Sequence, residues 1–195
     1  MKRNLMWMAF LLLTLLVWGE TPQEYINKAF EYEFEDVNQA IEIMKTAKKE
    51  FPANPDILSV YGYMAGKGAG ETYMLRAALL ASRAESAFDS ALKLEYNHKN
   101  ARMWRGILKI NMPSFLGKVP DGVADLEIIR QRDDLTDEES MMTDFFLGMG
   151  FGKLKQYDLA IVSFNKVEAL KRGDLYHEES IRRAKNIQDI IKEEE

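Results

Sequence analysis

The chain contains no cysteine, only two histidines and no block of basic residues. The lack of cysteine excludes disulfides, thiolate nucleophiles and cysteine-ligated metals. A net charge of -5 without a basic cluster argues against nucleic-acid binding, because phosphate contacts need lysine and arginine grouped on one face. No stretch shows the alternation of a half-buried strand. These absences leave a helical chain of 195 residues, enough for one domain or a short solenoid.

Catalytic and metal-binding signatures are also missing. The segment "GKGAGET" at 66–72 contains glycines and a lysine, but a phosphate-binding loop needs Gly-Lys followed by Ser or Thr, and Lys67 is followed by Gly68. We interpret its glycines as a flexible linker between helices. His98 and His177 stand in polar segments, where surface or capping roles are expected, since a metal site needs several converging ligands. The sequence therefore predicts a protein that is not an enzyme and holds no metal or cofactor.

The N-terminus has the pattern of an export signal. Lys2 and Arg3 precede an apolar run at 5–19, which ends in small residues suited to cleavage before Glu20. The run is short for a transmembrane span. We assign 1–19 as a signal peptide, with an uncleaved N-terminal anchor as the alternative. The expected location is periplasmic or secreted, or, for the anchor, the inner membrane facing the periplasm.

A spacing pattern recurs along the rest of the chain. A small residue is followed four positions later by a large apolar residue, and the clearest copy is Ala160 with Phe164. Further copies begin at Ala40 and Ala84, and a weaker one begins at Ala124. When insertions are subtracted, the copies lie about 34 residues apart, which is the period of a helix–turn–helix solenoid.

One helix is predicted to start after Thr136, because Glu139 three residues later completes a capping box. The same helix contains Gly148, Gly150 and Gly152. Gly148 is expected to let two helices approach closely. For the other two glycines we favour close packing over backbone contact with a ligand.

The repeated pattern resembles the tetratricopeptide repeat (TPR). "FLGMGFGKLKQYDLAIVSFNKVEAL" at 146–170 is similar to a TPR copy, and "DVNQAIEIMKTAKKEFPANPD" at 36–56 is similar to the second helix of another. The resemblance implies an all-α, right-handed α-solenoid with a C-terminal capping helix. The expected boundaries are 20–174 for four repeats (about 21–54, 55–98, 99–140 and 141–174) and 175–195 for the capping helix and a frayed tail.

A second resemblance concerns an inserted region. "LRAALLASRAESAFDSALKLEYN" at 75–97, followed by "INMPSFLGK" at 110–118, resembles a group of exported bacterial repeat proteins. The loop is similar to the P-x-F-L-G-G loop of the TatT component of some TRAP transporters, with Lys118 replacing the second glycine. This resemblance implies an accessory protein that carries an apolar small molecule.

The first helix of each TPR pair lines a concave groove, which is the usual binding surface of such solenoids. The repeat register places these residues there: Tyr25, Tyr32, Ser59, Tyr63, Lys67, Met103, Ile107, Asn111, Met142, Phe145, Met149 and Lys153. Most are apolar or aromatic, and the Lys/Asn clamp with which related repeats grip C-terminal carboxylates is absent. This composition suits a peptide, an amphipathic helix or an apolar small ligand.

Two questions stay open at this point. The insertion at 66–83 could fill the groove, in which case these residues are internal packing. The ligand could be a macromolecule or a small molecule. We predict a non-catalytic scaffold or adaptor exported to the bacterial cell envelope that binds a protein or peptide partner, and as the alternative a TatT-like carrier of an apolar small ligand. Nucleic acid is not expected as a partner, and membrane contact is expected only through an uncleaved N-terminal segment.

Overall fold

A computed structural model describes residues 19–169 and 175–194, and all regular structure within these ranges is helical. The nine α-helices of this part of the chain are α1 (Pro22–Glu31), α2 (Val37–Glu50), α3 (Pro55–Gly70), α4 (Met74–Leu94), α5 (Lys99–Asn111), α6 (Val119–Arg130), α7 (Asp137–Lys153), α8 (Tyr157–Ala169) and α9 (Leu175–Glu194). A single 3₁₀ turn at Ser114–Leu116 lies between α5 and α6. Within the described ranges, no helix combines the length and the apolar character needed to cross a membrane.

Side-chain caps fix where several helices begin. The capping box predicted for α7 is confirmed: the Glu139 amide donates to the Thr136 hydroxyl at 3.2 Å, and the Thr136 amide donates to the Glu139 carboxylate at 2.9 Å. His98 caps α5, because its Nδ1 accepts the Ala101 amide at 3.1 Å. Its Nε2 lies 3.1 Å from Asp56, so both ring nitrogens have polar partners. These contacts satisfy amides that a helix start would otherwise leave unpaired.

The helices stack as successive antiparallel pairs. Each helix packs against its neighbours in the chain, and the alternate helices α1, α3, α5 and α7 also contact one another in turn. That arrangement is an α-solenoid, so the predicted fold class is confirmed. The last helix, α9, packs against α8 and α7 and covers the final pair, as expected of a capping helix.

Glycines permit the closest helix contacts. A Cβ added at Gly148 would lie 2.6 Å from a ring carbon of Phe164, and one at Gly150 would lie 2.5 Å from a methyl of Val123. The packing interpretation is therefore confirmed for both positions. A Cβ at Gly152 would meet Ile187 at 3.7 Å, an ordinary contact, so close packing does not require a glycine there.

The repeat copy predicted to begin at Ala124 is wrong. Ala124 is exposed and Ile128 is 42% exposed, whereas Gly122 is buried against α5. A Cβ at Gly122 would lie 2.8 Å from the carbonyl oxygen of Gly106. The register therefore starts two residues earlier, and Leu126, four positions after Gly122, is fully buried. Because α5 and α6 approach so closely that no side chain fits, glycine takes the place that alanine has in the other copies.

The interpretation of the "GKGAG" glycines as a flexible linker is also wrong. Residues 66–70 form the final turns of α3. Gly68 is buried, and a Cβ there would lie 2.7 Å from the terminal methyl of Ile41 on α2. Glycine is used here for contact between helices, which compensates for its low helix propensity.

A buried ionic cluster joins α4, α5 and α6. Asp125 accepts two hydrogen bonds from Arg105, at 2.6 and 2.7 Å, and one from Arg102 at 3.3 Å. Arg105 also donates to Asp89 on α4 at 2.7 Å. Only 6% of the Asp125 side chain is exposed, so its charge depends on these arginines for compensation.

A second buried carboxylate lies between α6, α7 and α8. One oxygen of Asp144 is 3.8 Å from Arg130 and 3.9 Å from Lys166, with no hydrogen-bond partner among the described residues. Burial raises the pKa of Asp144, and the two distant cations only partly oppose that effect.

Candidate functional site

A cavity lies where helices of unequal length meet. Helix α4 has 21 residues and α5 has 13, which at 1.5 Å per residue correspond to about 31 and about 20 Å. The C-terminal end of α3 and the first turns of α4 therefore project past the end of α5. The segment 112–118 leads from α5 to α6 beside this projection.

This apolar cavity has a volume of about 1070 Å³. Its walls come from α3, α4, α5 and the connecting loop: Gly62, Tyr63, Gly66, Lys67, Ala69, Gly70, Met74, Ala77, Ala78, Ala81, Ser82, Glu85, Phe88, Trp104, Ile107, Leu108, Asn111, Met112, Pro113, Phe115, Leu116 and Lys118. Small-molecule sites typically occupy about 300–1,000 Å³ and are lined mainly by apolar groups.

Small side chains keep this space open. Ala77, Ala78 and Ala81 of α4 line it from one side, and Gly66 and Gly70 of α3 from another. A Cβ built on Gly70 would have no atom of the described chain within 4 Å. The inserted residues therefore form walls and do not fill the interior.

Large apolar side chains surround the mouth of the cavity. Met74 and Phe115 both line it, yet they are 88% and 86% exposed. Leu116 also lines it and is 50% exposed, and Leu75 next to Met74 is 80% exposed. Grouped exposed apolar side chains mark interaction or ligand-entry surfaces in soluble domains.

The cavity edge nearest α1 carries a compact polar cluster. The Tyr63 hydroxyl donates to the buried carboxylate of Glu33, and the Lys67 ammonium lies 3.6 Å from the same carboxylate. Lys67 also lies 3.9 Å from the ring centroid of Phe34, a cation–π geometry. Burial, together with the hydrogen bond to Glu33, raises the pKa of Tyr63, so it stays a neutral donor at physiological pH. Its ring centroid lies 4.4 Å from that of Trp104, with the two planes inclined by 45°, and this contact positions the indole in the wall.

An ion pair between the loop and α4 lies at another edge of the cavity. The Lys118 ammonium donates to Glu85 at 2.8 Å, and this hydrogen bond raises the pKa of Lys118. Lys118 stands where the similar loop motif has a glycine, and its contact with Glu85 ties the loop to α4.

Of the twelve residues predicted to line the groove, four line the apolar cavity: Tyr63, Lys67, Ile107 and Asn111. Asn111 is exposed and donates from its side-chain amide to the Ile107 carbonyl at 3.0 Å. These four lie on α3 and α5, the two middle helices of the concave row. The cavity thus brings together the central part of the predicted set.

The other eight lie elsewhere. Four are buried in the packed core: Tyr25, Ser59, Met103 and Phe145. Three are half-buried and do not line the cavity: Tyr32, Met142 and Met149. Lys153 donates to the carbonyl oxygens of Ile110 at 2.6 Å and Met112 at 3.5 Å, so it holds the end of α5 at the point where the loop departs.

Reasoning from the repeat register missed the α4 wall and the loop wall. The register directs attention to the first helix of each pair, and α4 is a second helix. Two features of the sequence carry the relevant signal: the alanine pattern at 77, 78 and 81, and the apolar Phe115–Leu116 pair in a loop. Phe115 and Leu116 lie in a loop with proline and glycine and not on the apolar face of an α-helix. Apolar side chains in such a position indicate an interaction surface.

Comparison with solved structures decides the fold. A thermophilic TPR protein of Thermus thermophilus superposes with a TM-score of 0.67 at 17% identity, over 85% of this chain and 81% of that one. The chain has the tetratricopeptide repeat fold. MamA from Desulfovibrio magneticus RS-1 gives 0.60 at 16% identity, over 90% of this chain and 97% of that one. Human IFIT1, solved as a dimer with PPP-AAAA, gives 0.68 at 17% identity, over 86% of this chain but 39% of its own length.

Searches by sequence give a different result. No family model matches the chain, and no curated protein does. The structural likeness, at 17% identity or below, concerns the fold alone.

Proposed function

We propose that this TPR chain is a non-catalytic binding protein that carries an apolar small ligand in the cavity between α3, α4 and α5. The observation that carries the proposal is the cavity of about 1070 Å³, walled by alanine, glycine and aromatic side chains. Its polar groups are concentrated at two edges, where they are paired with one another, as in Lys67 with Glu33 and Lys118 with Glu85. An apolar ligand can enter such a space without breaking those pairs.

A non-catalytic role is part of the proposal. It is supported by the repeat fold and by the absence from the sequence of any nucleophile–base constellation or phosphate-loop motif. The polar side chains at the cavity edges form structural pairs, and Tyr63 is held as a neutral hydrogen-bond donor.

A peptide or amphipathic helix in this part of the concave surface is the second candidate. The exposed side chains of Met74 and Phe115, which line the cavity, favour it, because a bound helix could cover them while inserting its own apolar side chains into the cavity. The protein would then serve as an adaptor for a protein partner.

Binding of N-phenyl-1-naphthylamine, a neutral dye that fluoresces in apolar sites, tests the first proposal. We expect saturable binding to the full chain and its displacement by dodecanol. Ala81→Asp, which places a charge in the cavity wall, should weaken binding at least about tenfold, the minimum expected from burying an unpaired charge. Ala124→Asp on α6 is the matched control, because Ala124 is exposed and outside the cavity.

Equal binding by both variants would contradict the assignment of the cavity as the ligand site. Displacement by amphipathic helical peptides but not by dodecanol would favour the second candidate. Circular dichroism melting of both variants separates loss of the site from loss of the fold.

We also propose that the protein acts outside the cytoplasm. Lys2, Arg3 and the apolar run at 5–19 support export. Fractionation and intact-mass measurement of the native protein test it. A mass corresponding to cleavage before Glu20 in the periplasmic or secreted fraction is expected. The full-length mass in a membrane fraction would indicate the anchor, and the full-length mass in the cytosol would contradict export.

A further inference from the structure

The apolar cavity continues into a second, polar depression along α4. This polar depression has a volume of about 340 Å³ and is formed by Ser82, Glu85, Ser86, Asp89, Ser90, Lys93 and Lys118. Three of these residues also line the apolar cavity: Ser82, Glu85 and Lys118. The two spaces therefore adjoin at the α4 edge of the cavity, beside Ser82 and the Lys118–Glu85 pair.

The character of α4 changes at this junction. Ala77, Ala78 and Ala81 face the apolar cavity, and from the next residue onward the helix presents hydroxyl groups at four-residue intervals, beginning with Ser82 and Ser86. Residues four apart lie on one helix face, so one side of α4 passes from apolar to polar within a single turn. Ser82 and Ser86 are both exposed to solvent.

Both acids of the polar depression are already paired. Glu85 is paired with Lys118 at 2.8 Å, and Asp89 is paired with Arg105 at 2.7 Å. The depression itself contains two acids, Glu85 and Asp89, and two bases, Lys93 and Lys118. A cationic head group would have to compete with Lys118 or Arg105 for these carboxylates. An anionic head group could pair with Lys93, which is in no ion pair among the described residues, but it would share the depression with Glu85 and Asp89. A neutral hydroxylated group could bind the serine hydroxyls and the outer carboxylate oxygens without disturbing either pair.

Resting on the proposed function, we infer that the ligand is an amphiphile, with its alkyl chain in the apolar cavity and a neutral, hydroxyl-bearing head group in the polar depression. Monoacylglycerols have this chemistry. The head group would lie against Ser82 and Ser86, next to the Lys118–Glu85 pair, and the chain would run along the alanine face of α4. No covalent step is involved.

Four probes with twelve-carbon chains that differ in the head group test this inference with the full chain. Monolauroylglycerol, methyl laurate, laurate and dodecylammonium are each used below their aggregation concentrations to displace N-phenyl-1-naphthylamine. We expect monolauroylglycerol to bind about tenfold more tightly than methyl laurate, the effect of one or two neutral hydrogen bonds. It should also bind more tightly than either charged probe.

The double variant Ser86→Ala/Ser90→Ala, in the depression but outside the apolar cavity, should reduce the advantage of monolauroylglycerol and leave the affinity for methyl laurate unchanged. Ser140→Ala on α7, outside both the cavity and the depression, is the matched control and should preserve the advantage. Equal affinity for all four probes, tightest binding of laurate or dodecylammonium, or an unchanged preference in the double variant would overturn the inference while the apolar-ligand proposal stands. Failure of every probe to displace the dye would overturn both.

Discussion

Gly66 on α3 offers a sharp test of what the apolar cavity holds. It lines the cavity, and a Cβ added there would have two atoms of the described chain within 4 Å: a methyl of Leu108 at 3.8 Å and the Cβ of Ala84 at 3.9 Å. Both are ordinary contacts, so Gly66→Ala fits without strain. The atoms beyond Cβ in Gly66→Leu extend into the open space.

The two substitutions should separate stability from binding. Replacing a glycine inside a helix by alanine or leucine stabilises the helix by up to about 1 kcal/mol. Both variants should therefore melt at or above the melting temperature of the unsubstituted protein. The leucine side chain adds four carbons and would displace about as many methylene groups of a bound chain. At about 0.8 kcal/mol per buried methylene, Gly66→Leu should lose roughly 3 kcal/mol of binding free energy, or about 200-fold in affinity.

Titration calorimetry with monolauroylglycerol, alongside thermal melting, measures both quantities. The expected result is a stable Gly66→Leu variant with strongly weakened binding and a Gly66→Ala variant that binds nearly normally. If Gly66→Leu melts normally and binds as tightly as Gly66→Ala, the ligand does not occupy this part of the cavity, and the reasoning is refuted.

The remaining predictions concern the scaffold. Gly148→Ala should cost about 1–3 kcal/mol of stability through its clash with Phe164, whereas Gly152→Ala should gain up to about 1 kcal/mol, as judged by urea unfolding. Asp125→Asn should cost at least about 3 kcal/mol in the same assay, because it removes the carboxylate that faces buried Arg102 and half-buried Arg105. Asp144→Asn should raise the melting temperature at about pH 7, and the gain should shrink toward about pH 4.

The sign of the last prediction follows from burial. A raised pKa means that folded Asp144 binds its proton more readily than the unfolded chain does, so the charged form penalises folding above that pKa and the penalty disappears as the pH falls. A destabilised Asp144→Asn variant at neutral pH would mean that the attraction of Arg130 and Lys166 outweighs desolvation.

For the glycine pair, Gly148→Ala and Gly152→Ala, equal effects of both substitutions would contradict the packing argument. A stable Asp125→Asn variant would show that the arginines find other partners or water.

The repeated helix pairs could be predicted from the sequence because spacing along the chain records packing between helices. Gly148 and Phe164 touch in the structure, and both belong to the copy on which the TPR resemblance rests. The same reasoning failed at Ala124, because the contact between α5 and α6 is so close that the chain uses Gly122 there. Because the other copies begin with alanine, the pattern was aligned on Ala124, and Gly122 two positions earlier was not recognised as the small residue.

The cavity could be predicted only in part. Tyr63 and Ile107 follow from the register, since they belong to helices that repeat. The α4 wall depends on the difference in length between α4 and α5, which no repeat register contains. Residues 66–70 were predicted to be a linker because glycine usually interrupts helices. In the structure they belong to α3, where Gly68 packs against Ile41, so the prediction made the helices before and after them appear shorter than they are.

Tryptophan fluorescence gives the most direct test of the central claim that the apolar cavity binds an apolar chain. Trp104 lines the cavity, and the other two tryptophans, Trp7 and Trp18, lie in the N-terminal apolar run. In the full chain carrying Trp7→Phe and Trp18→Phe, emission therefore reports on Trp104 alone. Titration with monolauroylglycerol should shift this emission to the blue, saturably and with the affinity that calorimetry measures. Binding detected by calorimetry with no change in Trp104 emission would place the ligand elsewhere and contradict the account.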